Sequence, residues 1–325
     1  MAKYLITGAA GFIGSHLSER LVAEGHNVLG IDCLTDYYSR AQKMLNKNLL
    51  SDKGVEFLHL NLAEDDLSLA FEGALKEVEV IYHLAAQPGI SATTPFNAYL
   101  KNNIIGTHRL LDAAKKSTSL RGFVNISTSS VYGADASSDE RAEPKPTSYY
   151  GVTKLAAEQL VLAAAREDNF PACSMRLFSV YGPRERPEKL YPRLIASILE
   201  DKAFPLYEGS EAHLRSYTYV GDIVDGLVSL LNKLDEIKGE IFNIGTDVAI
   251  TTGEGIRIVE EIIGKKAKTE PKPKRHGDQL KTHANITKAR RILGYNPTTT
   301  AREGLEKEVE WYKEHIFGKI DLWQK

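Results

Sequence analysis

Tyr150 and Lys154 stand one helical turn apart in the segment Tyr150-Gly151-Val152-Thr153-Lys154, so both side chains share one helix face. A phenol with an ordinary pKa of about 10 is a poor base at neutral pH. A neighbouring ammonium stabilises its phenolate and brings it towards the operating range. Thr128, in the run Ser127-Thr128-Ser129-Ser130 after an apolar strand pattern, supplies a hydroxyl that can share the same hydrogen bond. Such a trio can take the proton from an alcohol whose carbon gives up a hydride. Tyr149 has Thr153 at the matching distance and lacks the ammonium, so Tyr150 is the candidate base.

A bare Tyr-x-x-x-Lys is common by chance. Here it follows Gly8-Ala9-Ala10-Gly11-Phe12-Ile13-Gly14, a glycine pattern between a strand and a helix. Gly8 permits a sharp turn, Gly11 lets a pyrophosphate approach the backbone, and Gly14 lets the helix pack on the sheet. The helix beginning near Phe12 and Ile13 turns free N–H groups and a positive dipole end towards phosphates. A tight strand–helix turn without a ligand is the competing reading. Asp32 ends the second strand pattern, where a carboxylate accepts from ribose hydroxyls and repels a 2′-phosphate, which favours NAD over NADP. Asn61 and Leu62 at the third strand's end are expected to border adenine, with an ordinary strand-end asparagine as the alternative. Leu84, Ala85 and Ala86 end the fourth strand, where small side chains let a cofactor lie close.

The elements that must position these groups are legible as alternating patterns. Strands are expected at Tyr4–Thr7, Val28–Ile31, Val55–Leu58, Val78–Leu84 and Phe123–Ile126, with helices at 13–25, 38–50, 64–75, 98–116 and 149–168. This alternation implies right-handed crossovers and a parallel sheet covered on both faces. The class is α/β, a Rossmann-type doubly wound parallel sheet with a smaller mixed α/β C-terminal substrate lobe. Residues 1–178 would form the NAD-binding domain, with a return contribution from about 216–245, and 179–325 mainly the lobe. After Phe178, four prolines (Pro183, Pro187, Pro192, Pro205) mark a looser region, followed by a helix at 221–233, a strand at Glu240–Ile244 and helices at 251–263 and 301–315.

A net charge of -2 over 325 residues gives no general reason to expect nucleic acid or an anionic membrane as partner. The basic stretch Lys265 to Arg275 reads as a solvated loop. Cys33 and Cys173 sit in strand patterns as buried thiols, with no disulfide framework or metal site implied. No run is long and apolar enough to span a bilayer, and no leader pattern is visible, so a cytoplasmic protein is expected.

The chain resembles the extended short-chain dehydrogenase/reductase family, the nucleotide-sugar epimerases and dehydratases. The resemblance runs from the glycine loop through Ser127–Tyr132 and Tyr150–Lys154 to Arg176–Pro183, Arg215–Val220 and Arg275–Asp278. It implies that Thr128, Tyr150 and Lys154 oxidise a sugar at C4. Similar dehydratases carry Asp-Glu beside the threonine, and UDP-glucuronate decarboxylases a Glu before Val-Tyr. Ser129 and Ser130 stand there instead, so return of the hydride to the other face, epimerisation, is the simplest outcome. The resemblance gives Arg215 and Arg275 as pyrophosphate ligands, where forked hydrogen bonds suit guanidinium. It places Asp278 at a ribose hydroxyl and Tyr207 near the base.

Gly182-Pro183-Arg184-Glu185-Arg186-Pro187 and His83-Leu84-Ala85-Ala86-Gln87 resemble the UDP-glucuronate 4-epimerases. This implies that Arg186, Ser179 and the Thr128–Ser130 hydroxyls hold a sugar carboxylate, with Gln87 on the substrate side. The 4-keto uronate is a β-keto acid, and a clamped carboxylate resists the geometry for losing carbon dioxide. Pro88 and Ile90–Thr94 depart from that group's arginine-bearing loop, and Lys189 replaces its methionine. UDP-glucose therefore stays open as the alternative sugar, as do a net dehydrogenase and a non-catalytic NAD-binding protein. Similar proteins also pair as homodimers through a four-helix bundle, here the helices at 98–116 and 149–168.

Overall fold

Near-continuous apolar runs bounded by turns form seven parallel strands, buried on both faces except at the edge strand β3: β1 (Lys3–Thr7), β2 (Asn27–Asp32), β3 (Glu56–His59), β4 (Val80–His83), β5 (Gly122–Thr128), β6 (Ala172–Leu177) and β7 (Ile241–Ile244). In the computed structural model, which describes residues 2–67, 73, 75–91, 93–274 and 281–322, they are ordered β7-β6-β5-β4-β1-β2-β3. The chain runs outward from β1 through β2 to β3, then returns to lay β4 against the other side of β1, with Thr7 opposite His83. That reversal opens a crevice beyond the strands' carboxyl ends, where α/β sheets bind ligands.

Alternate residues of each strand enter opposite cores. Tyr4, Ile6, Val28, Tyr82, Val124 and Met175 pack on one face, and Leu5, Leu29, Ile31, Ile81, Phe123 and Ala172 on the other. Helices α1 (Phe12–Ala23), α2 (Arg40–Asp52) and α4 (Tyr149–Glu167) fall close to their expected places. Between them, α3 runs from Phe96 to Tyr99, continues as a π-helix over Leu100–Ile105 and resumes as α-helix over Gly106–Ala114. The helix expected at 64–75 lies largely outside the described residues.

The C-terminal part contains α5 (Leu190–Leu199), α6 (Val220–Ser229), α7 (Thr252–Ile263), α8 (Thr287–Leu293) and α9 (Ala301–His315). Tyr181, Tyr191, Leu194, Ile195, Val259, Leu305, Val309 and Tyr312 form their own core. The loose reading after Phe178 is corrected by α5. Pro192 lies in that helix's first turn, where a missing N–H removes no intrahelical bond. The basic stretch is also more than a loop, because Lys268–Lys272 pairs in parallel with Ala203–Tyr207. Cys33 follows β2 rather than lying within it and is only partly buried, whereas Cys173 is buried in β6; both thiols are free.

Candidate active site

The glycine loop is built by close approach. Gly8 is left-handed (φ 70°), and a Cβ there would lie 2.9 Å from Ala85 N, while one on Gly14 would lie 2.3 Å from Gly8 O. Gly11 caps α1 without any side chain on the first turn, so its N–H groups face the crevice from Phe12 and Ile13 onward. Asp32 is pinned at the rim: Oδ1 accepts from Leu34 N at 2.8 Å and Oδ2 from Ala10 N at 3.1 Å. Leu84 N donates to Thr7 O, and Ala85 N to the Thr7 hydroxyl at 3.1 Å. Leu84, Ala85 and Ala86 thus follow β4 rather than end it, and sit directly against the glycine turn. Asn61 and Leu62 likewise lie beyond β3. The Asn61 amide closes a local turn with Ala63 N and Glu64 Oε2 (3.0 and 2.6 Å), and Leu62 is buried in the core.

Ser148 caps α4 by accepting from Gly151 N at 3.1 Å, which fixes Tyr150 in the first turn and Lys154 one turn on. Thr128 ends β5, and its hydroxyl acts on the Tyr150 phenol to lower its pKa. Its Oγ1 also accepts from Ser130 N at 3.2 Å and lies 3.3 Å from Ser130 Oγ. Thr128, Ser129 and Lys154 are buried and Ser130 and Tyr150 partly so. The expected trio is therefore assembled at the carboxyl end of the central strand.

One expectation about it is corrected. Burial raises the Tyr150 pKa, and what opposes this most is the Thr128 hydroxyl, followed by the Arg186 guanidinium. For Lys154 burial lowers the pKa to about 8, and Glu158 is the charge that works against that. Glu158 in turn takes a two-pronged grip from Arg176, Nη2 to Oε1 at 2.7 Å and Nε to Oε2 at 3.0 Å, with side chains 1% and 0% exposed.

Two features escape residue reading. Asn103, in the π segment of α3, accepts from Gln87 N at 2.7 Å and donates to Gln87 O at 3.2 Å and to Thr153 Oγ1 at 3.0 Å. It ties the loop after β4 to the catalytic helix. Behind it His83, held neutral by burial with a pKa of about 3, bridges the hydroxyls of Thr7 and Thr107 at 2.9 and 2.8 Å. Gln87 is buried, and its Nε2 has no partner among the described residues.

The loop carrying Arg186 is seated on the nucleotide-binding half. His16 Nε2 meets Pro183 O at 2.8 Å, and the Gln42 amide donates to Arg184 O and Glu185 O at 2.8 and 3.0 Å. Arg184 is left-handed (φ 70°) and pairs with Glu19 at 2.8 Å. Arg186 reaches Pro88 O at 3.4 Å and bears on Tyr150. Ser179 precedes the short strand Val180–Tyr181, and its carbonyl accepts from Thr218 N. Arg215, in the strand Leu214–Arg215, is partly buried, as is Tyr207 at the end of Ala203–Tyr207. Arg275 and Asp278 lie outside the described residues.

Residues 4–245 match the model of the NAD dependent epimerase/dehydratase family. The chain belongs to that family. It is 38% identical over 314 residues to the uncharacterized UDP-glucose epimerase YtcB of Bacillus subtilis, covering 95% of this chain and 97% of that one. It is 34% identical over 332 residues to UDP-glucuronate 4-epimerase 2 of Arabidopsis thaliana, covering 95% and 75%. The structure of UDP-glucuronic acid 4-epimerase from Bacillus cereus in complex with UDP-glucuronic acid and NAD superimposes with a TM-score of 0.90 at 37% identity, over 96% of this chain and 99% of that one.

NAD is the family's cofactor, and the residues present fit it: a glycine turn that any Cβ would fill, an uncapped helix N-terminus, and a pinned carboxylate at the end of β2. Among the described residues, no group of three or more His, Cys, Asp or Glu side chains could hold a metal ion.

Proposed function

We propose that this chain is an NAD-dependent nucleotide-sugar 4-epimerase that interconverts UDP-glucuronate and UDP-galacturonate. The observation that carries the choice of sugar is Arg186, a guanidinium close enough to the catalytic phenol to lower its pKa. A hexose bound with C4 at Tyr150 brings its C6 substituent into that neighbourhood, and a carboxylate is the substituent that gains from a fixed guanidinium. Bound NAD supplies the acceptor that takes a hydride from C4 and gives it back.

Tyr150 removes the C4 hydroxyl proton, while Thr128 holds the same oxygen. Lys154 is largely protonated at neutral pH, and the Thr128 hydroxyl and Arg186 favour the phenolate. Turning the 4-keto sugar about its anchored diphosphate presents the opposite face, and Tyr150 reprotonates the oxygen once the hydride is back. Arg215, Arg275 and Asp278 are the proposed anchors of the nucleotide, with Tyr207 at the base, and Ser179 and Gln87 on the sugar. Ser129 and Ser130 beside Thr128 bring no carboxylate for elimination.

Residues 1–178 with the return segment 216–245 are proposed as the NAD domain and 179–325 mainly as the substrate lobe. Phe96, Ile105, Tyr149 and Val152, on α3 and α4, are 40%, 41%, 59% and 45% exposed. That apolar face supports a homodimer through a four-helix bundle. No helix among the described residues is long and apolar enough to cross a membrane, and a cytoplasmic location is proposed.

Turnover of UDP-glucuronate compared with UDP-glucose tests the assignment. The uronate should be strongly preferred, and preference for the neutral sugar would remove the carboxylate grip and leave 4-epimerisation of UDP-glucose; the Bacillus subtilis relative is named a UDP-glucose epimerase.

A further inference from the structure

Arg186 already holds a carboxylate of its own chain. Its Nη1 lies 3.0 Å from Glu188 Oε1, with the arginine side chain 11% exposed and the glutamate 43% exposed. The guanidinium is confined: Nη1 also reaches Pro88 O at 3.4 Å, a Cβ on Gly89 would lie 2.7 Å from Nη2, and the Tyr37 ring centroid is 5.7 Å away. Glu188, on the outer side, has the freedom to leave. We propose that Glu188 is a specificity-determining residue, an internal occupant of the anionic subsite that must release Arg186 when a uronate carboxylate binds.

The proposal rests on reading Arg186 as the ligand of that carboxylate. A fixed guanidinium grips a carboxylate best through two N–H groups, and here Nη1 is engaged by Glu188. Two carboxylates on one guanidinium also repel. For a neutral sugar no exchange is needed, because Glu188 keeps the guanidinium compensated. The acid thus weakens uronate binding selectively and narrows the gap between charged and neutral substrates. Half-exposed ion pairs contribute modestly, so the effect is about two- to fivefold.

KM and kcat for UDP-glucuronate and UDP-glucose, measured in wild type, Glu188→Gln, Arg186→Gln and the double variant, test this. Glu188→Gln should lower KM for UDP-glucuronate about two- to fivefold and leave KM for UDP-glucose unchanged. The gain should vanish in the Arg186→Gln background. An unchanged or raised uronate KM overturns the proposal and makes Glu188 a holder of the arginine, and equal shifts for both sugars overturn it too. A uronate preference that survives Arg186→Gln removes the underlying reading of Arg186, whatever Glu188→Gln does.

Discussion

Lys154 stands one turn from Tyr150 on the same helix, yet Glu158 is the charge that bears on its ammonium, while the Thr128 hydroxyl and Arg186 lower the Tyr150 pKa. The base is thus prepared from the strand side, by a hydroxyl at the end of β5 and a guanidinium from the loop after Gly182. Removing the phenol should therefore leave binding intact. Tyr150→Phe is expected to retain NAD and UDP-sugar and lose about 10²- to 10⁴-fold in kcat. Turnover near wild type would reject Tyr150 as the base.

Lys154 is a buried ammonium with its pKa lowered from 10.5 to about 8. A depressed lysine binds fewer protons folded than unfolded between those values, so stability from this site rises with pH across that window. Below about pH 8 the buried charge costs at most about 3 kcal/mol. Lys154→Met should therefore raise the Tm of the cofactor-free protein at pH 7, with the gain shrinking towards pH 10.5, while activity falls. Calorimetry across pH checks this, and a lower Tm at pH 7 would contradict it.

Glu185 and Glu308 face each other in a small cavity with Arg184 and Trp311, and three of their four carboxylate oxygens have no partner among the described residues. Burial raises the Glu185 pKa to about 8, against Lys189 and Arg186, and burial and Glu185 together raise that of Glu308. A carboxyl raised in the folded state contributes its stability below its unfolded pKa and loses it as pH climbs through the folded one. Glu308→Gln should accordingly raise Tm at pH 8 and change it little near pH 4.5. Equal changes at both pH values would count against a raised carboxyl pKa at Glu308.

Arg176 and Glu158 join β6 to the catalytic helix as a fully buried pair. Removing one partner leaves the other charge uncompensated, at a cost of about 3–5 kcal/mol. Arg176→Met should lower the urea midpoint by that cost divided by an unchanged m-value. A loss below about 1 kcal/mol would mean that water replaces the arginine.

The parts legible in the sequence are those set by local chemistry. Gly8, Gly11, Gly14, Asp32, Thr128, Tyr150 and Lys154 needed only strand ends and helix starts to be placed, and periodicity located those. What escaped depends on contacts between distant segments. Pro192 looked like a breaker because its position in a helix's first turn depends on where the helix begins. Asn103 gains its role from a π-turn that has no composition signal. His16 and Gln42 read as ordinary helix residues until the Arg186 loop lies on them. The Tyr150–Lys154 spacing suggested a direct charge effect, and Glu158, one turn further along α4, draws that ammonium's interaction to itself.

In the proposed reaction the hydrogen on C4 leaves and returns within one bound state. Incubating the enzyme with UDP-glucuronate carrying deuterium at C4, and following the product by proton NMR, tests this. The product should be UDP-galacturonate with the deuterium retained at C4 and no net NADH. Loss of the label to solvent, or NADH formed in step with substrate consumed, would contradict it.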